Sequence, residues 1–257
     1  MSNYFEYKYF LYRLLSFLNF SFNKKIIGLR VLMYHSIDYR VENDIYNIYN
    51  IHLDTFLDHV DHFKKHSLVL LTPIELNQIN SGLGITFDDG FANNLYKANE
   101  ILEPLNIPFS VFVTANNVKK EKKGFLNESE LKQLSNNKNV IIGSHAMNHI
   151  RLAELSRKMV IKELYESKVY LEDLIGYEVN TLSYPHGSVN RLVRDCAEEV
   201  GYKVGFISRS GINKNNRDRL LMMRNPILSK DNIAVLNEKI YGQWDWMRYR
   251  YKDPANL

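Results

Sequence analysis

The chain has 257 residues, of which 45% are hydrophobic and 24% charged. That suffices for one large domain with a substantial core, or at most two small ones. The net charge of +4 is confined to residues 1–30, where Lys8, Arg13, Lys24, Lys25 and Arg30 face only Glu6. The remainder is neutral, which argues against a broad nucleic-acid surface, and the single cysteine, Cys196, excludes an intrachain disulfide.

The first segment, NYFEYKYFLYRLLSFLNFSFNKK, is aromatic-rich, with Leu11, Leu14, Leu15, Leu18 and Phe22 at helical spacing. Arg13 interrupts its apolar run and no small-residue cleavage site follows, so it makes a poor signal peptide and a poor membrane span. Residues 1–25 are expected as an amphipathic extension to a single large domain over 26–257. Two readings of it stand. One is a helix docked on its own domain; the other is an interfacial helix over residues 4–25, with tyrosines at headgroup depth and lysines facing anionic lipid.

GLRVLMYHSI (28–37) reads as a buried strand ending at His35. LDTFLDHVDHFKKH (53–66) reads as a helix with Phe56, Leu57, Val60 and Phe63 on one face. Thr72 and Pro73 have the chemistry of a helix N-cap and first turn. GLGITFDDG then runs a strand into a loop bearing Asp88 and Asp89. The alternation continues with a helix over about 91–103, a strand at 108–115, a helix from Asn127 and a strand at 140–145. A long helix over about 156–175, the strand TLSYP and a helix over 188–200 follow. Strands near 204–208 and 221–228 and a helix over 231–241 complete the pattern. Strands apolar on both faces, alternating with helices, imply a mainly parallel sheet of seven or eight strands, open or closed into a barrel. His35, Asp88, Asp89, His145 and His186 all fall at carboxyl ends of strands, the end where barrels place their chemistry.

Two adjacent carboxylates repel, so each needs its own partner. SHAMNH (144–149) supplies His145 and His149 four residues apart; on a helical turn both imidazoles would share a face. Two histidines and one carboxylate suit a divalent metal such as zinc, with positions left for water and substrate. One aspartate would bind the metal and the other would accept a proton from water. HFKKH (62–66) repeats the four-residue histidine spacing, but it lies in an amphipathic helix with no carboxylate-bearing strand end before it, and reads as a solvated face. LSYPHGS (182–188) is a turn whose backbone N–H groups could face an oxyanion.

TFDDG followed about 55 residues later by SHAMNH, with YPHG after them and MYHSI before, resembles the polysaccharide deacetylases, carbohydrate esterase family 4, over roughly residues 29–241. The resemblance implies a distorted (β/α) barrel of about seven strands, and metal-assisted hydrolysis of N-acetyl, less often O-acetyl, groups on sugars. It implies Asp88 as general base, with Asp89, His145 and His149 holding a divalent metal, zinc above all. The family's third motif begins with an arginine that steadies the base. Here Ser183 stands at that place, and His186 replaces the usual tyrosine while keeping the backbone N–H of the oxyanion donor. No histidine follows His186, whereas the family places its general acid on a late strand. One branch carries that strand near the N-terminus, and VLMYHS fits it, which nominates His35. Arg224 in LMMRNPI is nominated for the missing arginine.

The expectation is a metal-dependent deacetylase acting on N-acetylated amino sugars of a surface glycan or its lipid-linked precursor. It would work in the cytoplasm or at the cytoplasmic membrane face, with export as an alternative. Its rivals are an O-deacetylase, a small-amide or nucleotide-sugar deacylase, and a non-catalytic carbohydrate-binding protein on the same fold.

Overall fold

The computed structural model describes residues 2–18, 28–40, 44–72, 75–76, 81–250 and 252–254. Eight strands form one parallel sheet. Strands β1 (Leu29–Tyr34), β4 (Gly82–Phe87), β5 (Phe109–Val113), β6 (Val140–Ser144), β7 (Thr181–Ser183) and β8 (Val204–Ile207) follow one another in space. The short strands β9 (Met222–Met223) and β10 (Asn225–Pro226) sit at opposite ends of the strand order. Strand β10 pairs with β1, Leu32 opposite Asn225, and β9 pairs with β8, Phe206 opposite Met222. Only Arg224 separates the two edges in the chain, so one extended segment carries the sheet round into a nearly closed barrel. The seven or so expected strands are eight because that last segment splits at Arg224. A small parallel pair, β2 (Ser36–Ile37) with β3 (Asn50–Ile51), lies outside the barrel.

The apolar runs explain the closure. All residues of β1, β4 and β5 are buried, as strands covered on both faces must be. The covering helices are α2 (Leu53–Phe63), α3 (Ala115–Lys119), α4 (Glu128–Ser135), α5 (Arg157–Ile175), α6 (Arg191–Val200) and α7 (Ile233–Ile240). Their starts are legible in the sequence. Asn127 forms a full capping box with Glu130, Asn190 accepts from Val193 N–H, and Thr72 Oγ1 accepts from Glu75 N–H. Pro73 and the helix expected after it lie largely outside the described residues.

Two helical expectations change. Residues 94–99 form a π-type turn, followed by one α turn and a 3₁₀ turn, in place of one regular helix over 91–103. The buried face of α2 is Phe56, His59, Val60 and Phe63, while Leu57 is 41% exposed. His59 belongs to that face because Tyr34 Oη lies 2.9 Å from its Nδ1.

The N-terminal helix α1 (Ser2–Leu18) docks on the C-terminal end of the chain. Tyr9 Oη donates to Asp231 at 2.7 Å, Trp246 Nε1 donates to Ser16 Oγ at 2.9 Å, and Tyr12 packs edge-on against Trp246. Phe22, Lys24 and Lys25 of the expected extension lie outside the described residues.

Candidate active site

Because every barrel strand runs the same way, their carboxyl ends share one rim. His35 follows β1, Asp88 and Asp89 follow β4, His145 follows β6, Ser183 ends β7 and Arg224 follows β9. The tight turn after β4 separates the two aspartates. Asp88 N–H still donates to Tyr34 carbonyl at 3.0 Å, so Asp88 keeps the strand's inward direction. Asp89 and Gly90 then take positive φ, 74° and 76°. A Cβ on Gly90 would sit 3.2–3.4 Å from Val113, so this turn accepts only glycine comfortably.

Asp88 is clamped on the inner side. Arg224 makes two parallel bonds to it, Nη1 to Oδ1 at 2.6 Å and Nη2 to Oδ2 at 2.7 Å. Ser183 Oγ donates to Asp88 Oδ2 at 3.0 Å and accepts from Arg224 Nη2 at 2.8 Å. The guanidinium is fully buried, 5.5 and 5.8 Å from the rings of Phe112 and Phe206. Burial alone would raise the Asp88 carboxyl, but the charges of Arg224 and His145 outweigh it and hold it below the usual carboxylate range. Such a bidentate fork fixes both oxygens in orientation as well as in charge.

Asp89 faces the other way. Its Oδ1 lies 3.4 Å from His145 Nε2 and 3.2 Å from His149 Nε2. Among the described residues, these three form the one cluster of at least three side chains whose donor atoms converge as metal ligands would, all within 4.8 Å of one another. The four-residue spacing predicts a shared helix face, but His145 and His149 do not lie on a helix. They converge because residues 145–149 form turns in which Ala146 and His149 take positive φ, 58° and 54°. Backbone bonds from Ala115 and Asn116 to Ala146 and Met147 hold that loop. Glu163 on α5, buried, accepts from both Asn148 N–H and its side-chain amide.

The donor set fits a divalent cation. His145 Nδ1–H donates to Ser183 carbonyl at 2.7 Å, which leaves the Nε2 of a neutral ring with its lone pair aimed at an Asp89 oxygen. A bound cation or a proton reconciles two lone pairs that face each other at that distance. Without the cation, a proton does this work: Asp88 and Asp89 raise the His145 pKa against its burial. Two imidazole nitrogens and one carboxylate oxygen are ligands suited to zinc and neighbouring divalent transition metals.

Asp88, Asp89, His145, His149, His35 and His186 line one cavity of ≈450 Å³. His35 has a buried Nδ1 without a hydrogen-bond partner, and its ring centre is 4.4 Å from that of Tyr49. Burial lowers its pKa, partly countered by Asp89 and Asp88. His186 takes φ 58°, stands 4.4 Å ring to ring from His149, and its Nε2 donates to His149 carbonyl. All seven sequence-nominated residues thus meet at this rim. Asp44, Tyr49, Arg151 and Ser208 also line the wall and were not nominated. They lie in loops that no local motif marks. Ser183, read as a departure, proves to be the hydroxyl that joins Asp88 to Arg224.

A clamped carboxylate beside a His–His–Asp cluster at the carboxyl rim of the barrel agrees with what the sequence resemblance implies. A family model described as polysaccharide deacetylase matches residues 77–205, and this chain belongs to that family. It is 25% identical over 196 residues to YxkH of Bacillus subtilis (strain 168), which carries a polysaccharide deacetylase name; the match spans 73% of this chain and 67% of that one. The solved polysaccharide deacetylase BC0361 of Bacillus cereus superposes with a TM-score of 0.73 at 26% identity, over 83% of this chain and 69% of that one. The Streptococcus pyogenes deacetylase PplD shares the fold, with a TM-score of 0.75 at 21% identity over 84% and 99% of the two chains.

Proposed function

We propose that this chain is a metal-dependent hydrolase that removes N-acetyl groups from amino sugars of a surface polysaccharide or its lipid-linked precursor. The observation that carries the reading is the division of the aspartate pair: Asp88 against Arg224 and Ser183, Asp89 against His145 and His149. Asp89, His145 and His149 would hold the ion. A divalent metal there supplies polarisation of an acetyl carbonyl and a lowered pKa for water.

Asp88 takes the proton of the attacking water. Arg224 and Ser183 keep its carboxylate ionised and aimed, which makes them positioning residues. The N–H of His186 faces the oxygen on which negative charge develops. His35, when protonated, gives its proton to the leaving amine. Its partnerless Nδ1 and its place on the cavity wall agree with that role. The catalytic domain in this reading spans 26–257, and the protein works in the cytoplasm or at the cytoplasmic membrane face, with export as the alternative. Among the described residues no helix is long and apolar enough to cross a membrane.

The test is product release from a panel of N-acetylglucosamine oligomers, O-acetylated glycans and N-acylated nucleotide sugars, with the zinc-loaded wild type and His35→Ala. Acetate from the oligomers, reduced about 10²-fold or more by His35→Ala, is the expected result. Release confined to O-acetyl or nucleotide substrates would move the assignment to the rival deacylases. Metal binding without any turnover would favour a binding protein.

A further inference from the structure

The open side of the barrel divides by charge. The catalytic cavity holds three carboxylates, Asp44, Asp88 and Asp89, with Arg151 at its edge. A trench of ≈520 Å³ shares Arg151, His186 and Ser208 with that cavity and continues past Arg209 to Arg250 and Lys252. Among the described residues no carboxylate lines this trench, and its four charged side chains, Arg151, Arg209, Arg250 and Lys252, are all cationic.

Three separate parts of the chain supply them. Arg151 follows the turns that carry His145 and His149. Ser208 and Arg209 follow β8, so the parallel sheet delivers them to the same rim as the aspartates. The Arg209 carbonyl accepts from Arg224 N–H at 3.1 Å, which ties the trench to the strand segment that clamps Asp88. Arg250 ends the last 3₁₀ segment (Asp245–Arg250), with its guanidinium 5.0 Å from the Tyr12 ring, and Lys252 follows.

Neighbouring acids do not cancel this charge. Asp253 accepts from both terminal nitrogens of Arg217, at 2.6 and 2.9 Å, and Arg209 Nε stands 4.0 Å from the same carboxylate. One negative charge thus serves two guanidinium groups. Burial and the charges of Arg217 and Arg248 lower the Arg209 pKa against the pull of Asp253. Arg151 faces Glu154 at 3.9 Å, but both side chains are more than half exposed, where an ion pair contributes little. A cleft lined by one sign of charge concentrates ligands of the other sign. Four cations exceed what a single carboxylate can answer, whereas a diphosphate places more than one negative charge on two linked groups, and guanidinium forks match its oxygens.

We propose that the trench is an anion subsite that takes the diphosphate of a sugar whose acetamido group enters the cavity. This rests on the deacetylase reading above, and within it selects a sugar still carried on a diphosphate over the finished neutral polymer. The test measures kcat/KM of the zinc-loaded chain on N-acetylglucosamine oligomers and on N-acetylglucosaminyl diphosphate bearing either a short prenyl group or uridine. Calorimetric binding of the prenyl compound to the metal-free chain is measured beside it. Wild type is compared with Arg209→Gln/Lys252→Gln, with the charge-keeping Arg209→Lys/Lys252→Arg, and with Lys158→Gln/Lys203→Gln. The last pair removes the same charge from exposed positions outside the trench.

Wild type and the outside control should prefer at least one diphosphate sugar to the oligomers by about tenfold or more, and the preference should narrow as salt rises. The glutamine pair in the trench should lose about tenfold of that preference through KM, with calorimetric binding weakened to match, while the charge-keeping pair retains most of it. The better of the two diphosphates identifies the carrier. An equal preference in the trench variant and the outside control would overturn the proposal, as would a wild type that favours the neutral oligomers. Calorimetric binding that depends on Arg209 and Lys252, with no turnover of any substrate, would uphold the subsite and sink the deacetylase reading alone.

Discussion

Two histidine pairs in this chain share one spacing and differ in everything else. His145 and His149 stand on a turn at the barrel rim with the Asp89 carboxylate between them. His62 and His66 bracket the end of α2, and their Nε2 atoms face each other at 3.2 Å. The second pair lies beside exposed Lys64 and Lys65, on the solvated side expected of it, though each ring is half-buried. His66 packs near Tyr241 of the α7 C-terminus, and burial lowers both rings' pKa, with His62 adding to the shift of His66. One ring donates to the other as neutral partners, so nothing there asks for a cation. Spacing alone is therefore silent about chemistry. What separates the pairs is a carboxylate delivered from another strand end.

The sharpest way to break that contrast is to remove the carboxylates. Asp88→Asn should keep the metal and lower turnover by roughly 10²–10⁴-fold, the usual worth of a positioned proton acceptor. Arg224→Lys should cost about 10²-fold in kcat with little change in metal content, because a lysine cannot reproduce the bidentate fork that aims Asp88. Arg224→Ala would instead strand Asp88 as a buried charge without its partner, at about 3–5 kcal/mol of stability by thermal or denaturant unfolding.

Weaker effects sharpen the comparison from the supporting residues. Glu163→Ala releases Asn148 and with it the turn that brings His149 to Asp89. It should weaken metal affinity about tenfold, read by competition with a chromophoric chelator. His62→Ala/His66→Ala should leave metal stoichiometry and turnover at wild-type values.

His59, one turn before His62, gives a pH signature of its own. Burial holds its pKa down to about 4, against 6.5 for an ordinary imidazole. The unfolded chain takes up the proton first as pH falls, so stability is complete above about pH 6.5 and declines as pH drops toward 4. The loss should reach up to about 3 kcal/mol by urea unfolding. His59→Asn should flatten that slope between pH 4 and 6.5.

Much of this site could be read from the chain because its signals are local. An apolar run ending in TFDDG announces a strand end with two carboxylates, and SHAMNH announces two imidazoles. The barrel followed from strands apolar on both faces. What the sequence hid depends on distant contacts. The fourfold spacing of His145 and His149 looks helical, yet backbone bonds from residues 115 and 116 fold it into left-handed turns. Ser183 looked like the loss of an arginine. Only closure of the barrel brings Arg224 across to share Asp88 with it. The helical spacing of the first segment left its docking face open. The tryptophans at the far end of the chain meet its tyrosines.

The most direct test of the central claim is to measure metal content and acetate release together, on N-acetylglucosamine oligomers, for wild type, Asp89→Asn and His62→Ala/His66→Ala. The account predicts one bound divalent ion and metal-dependent release in the wild type and the double histidine variant, with both lost in Asp89→Asn. Full metal content and undiminished release in Asp89→Asn would contradict it.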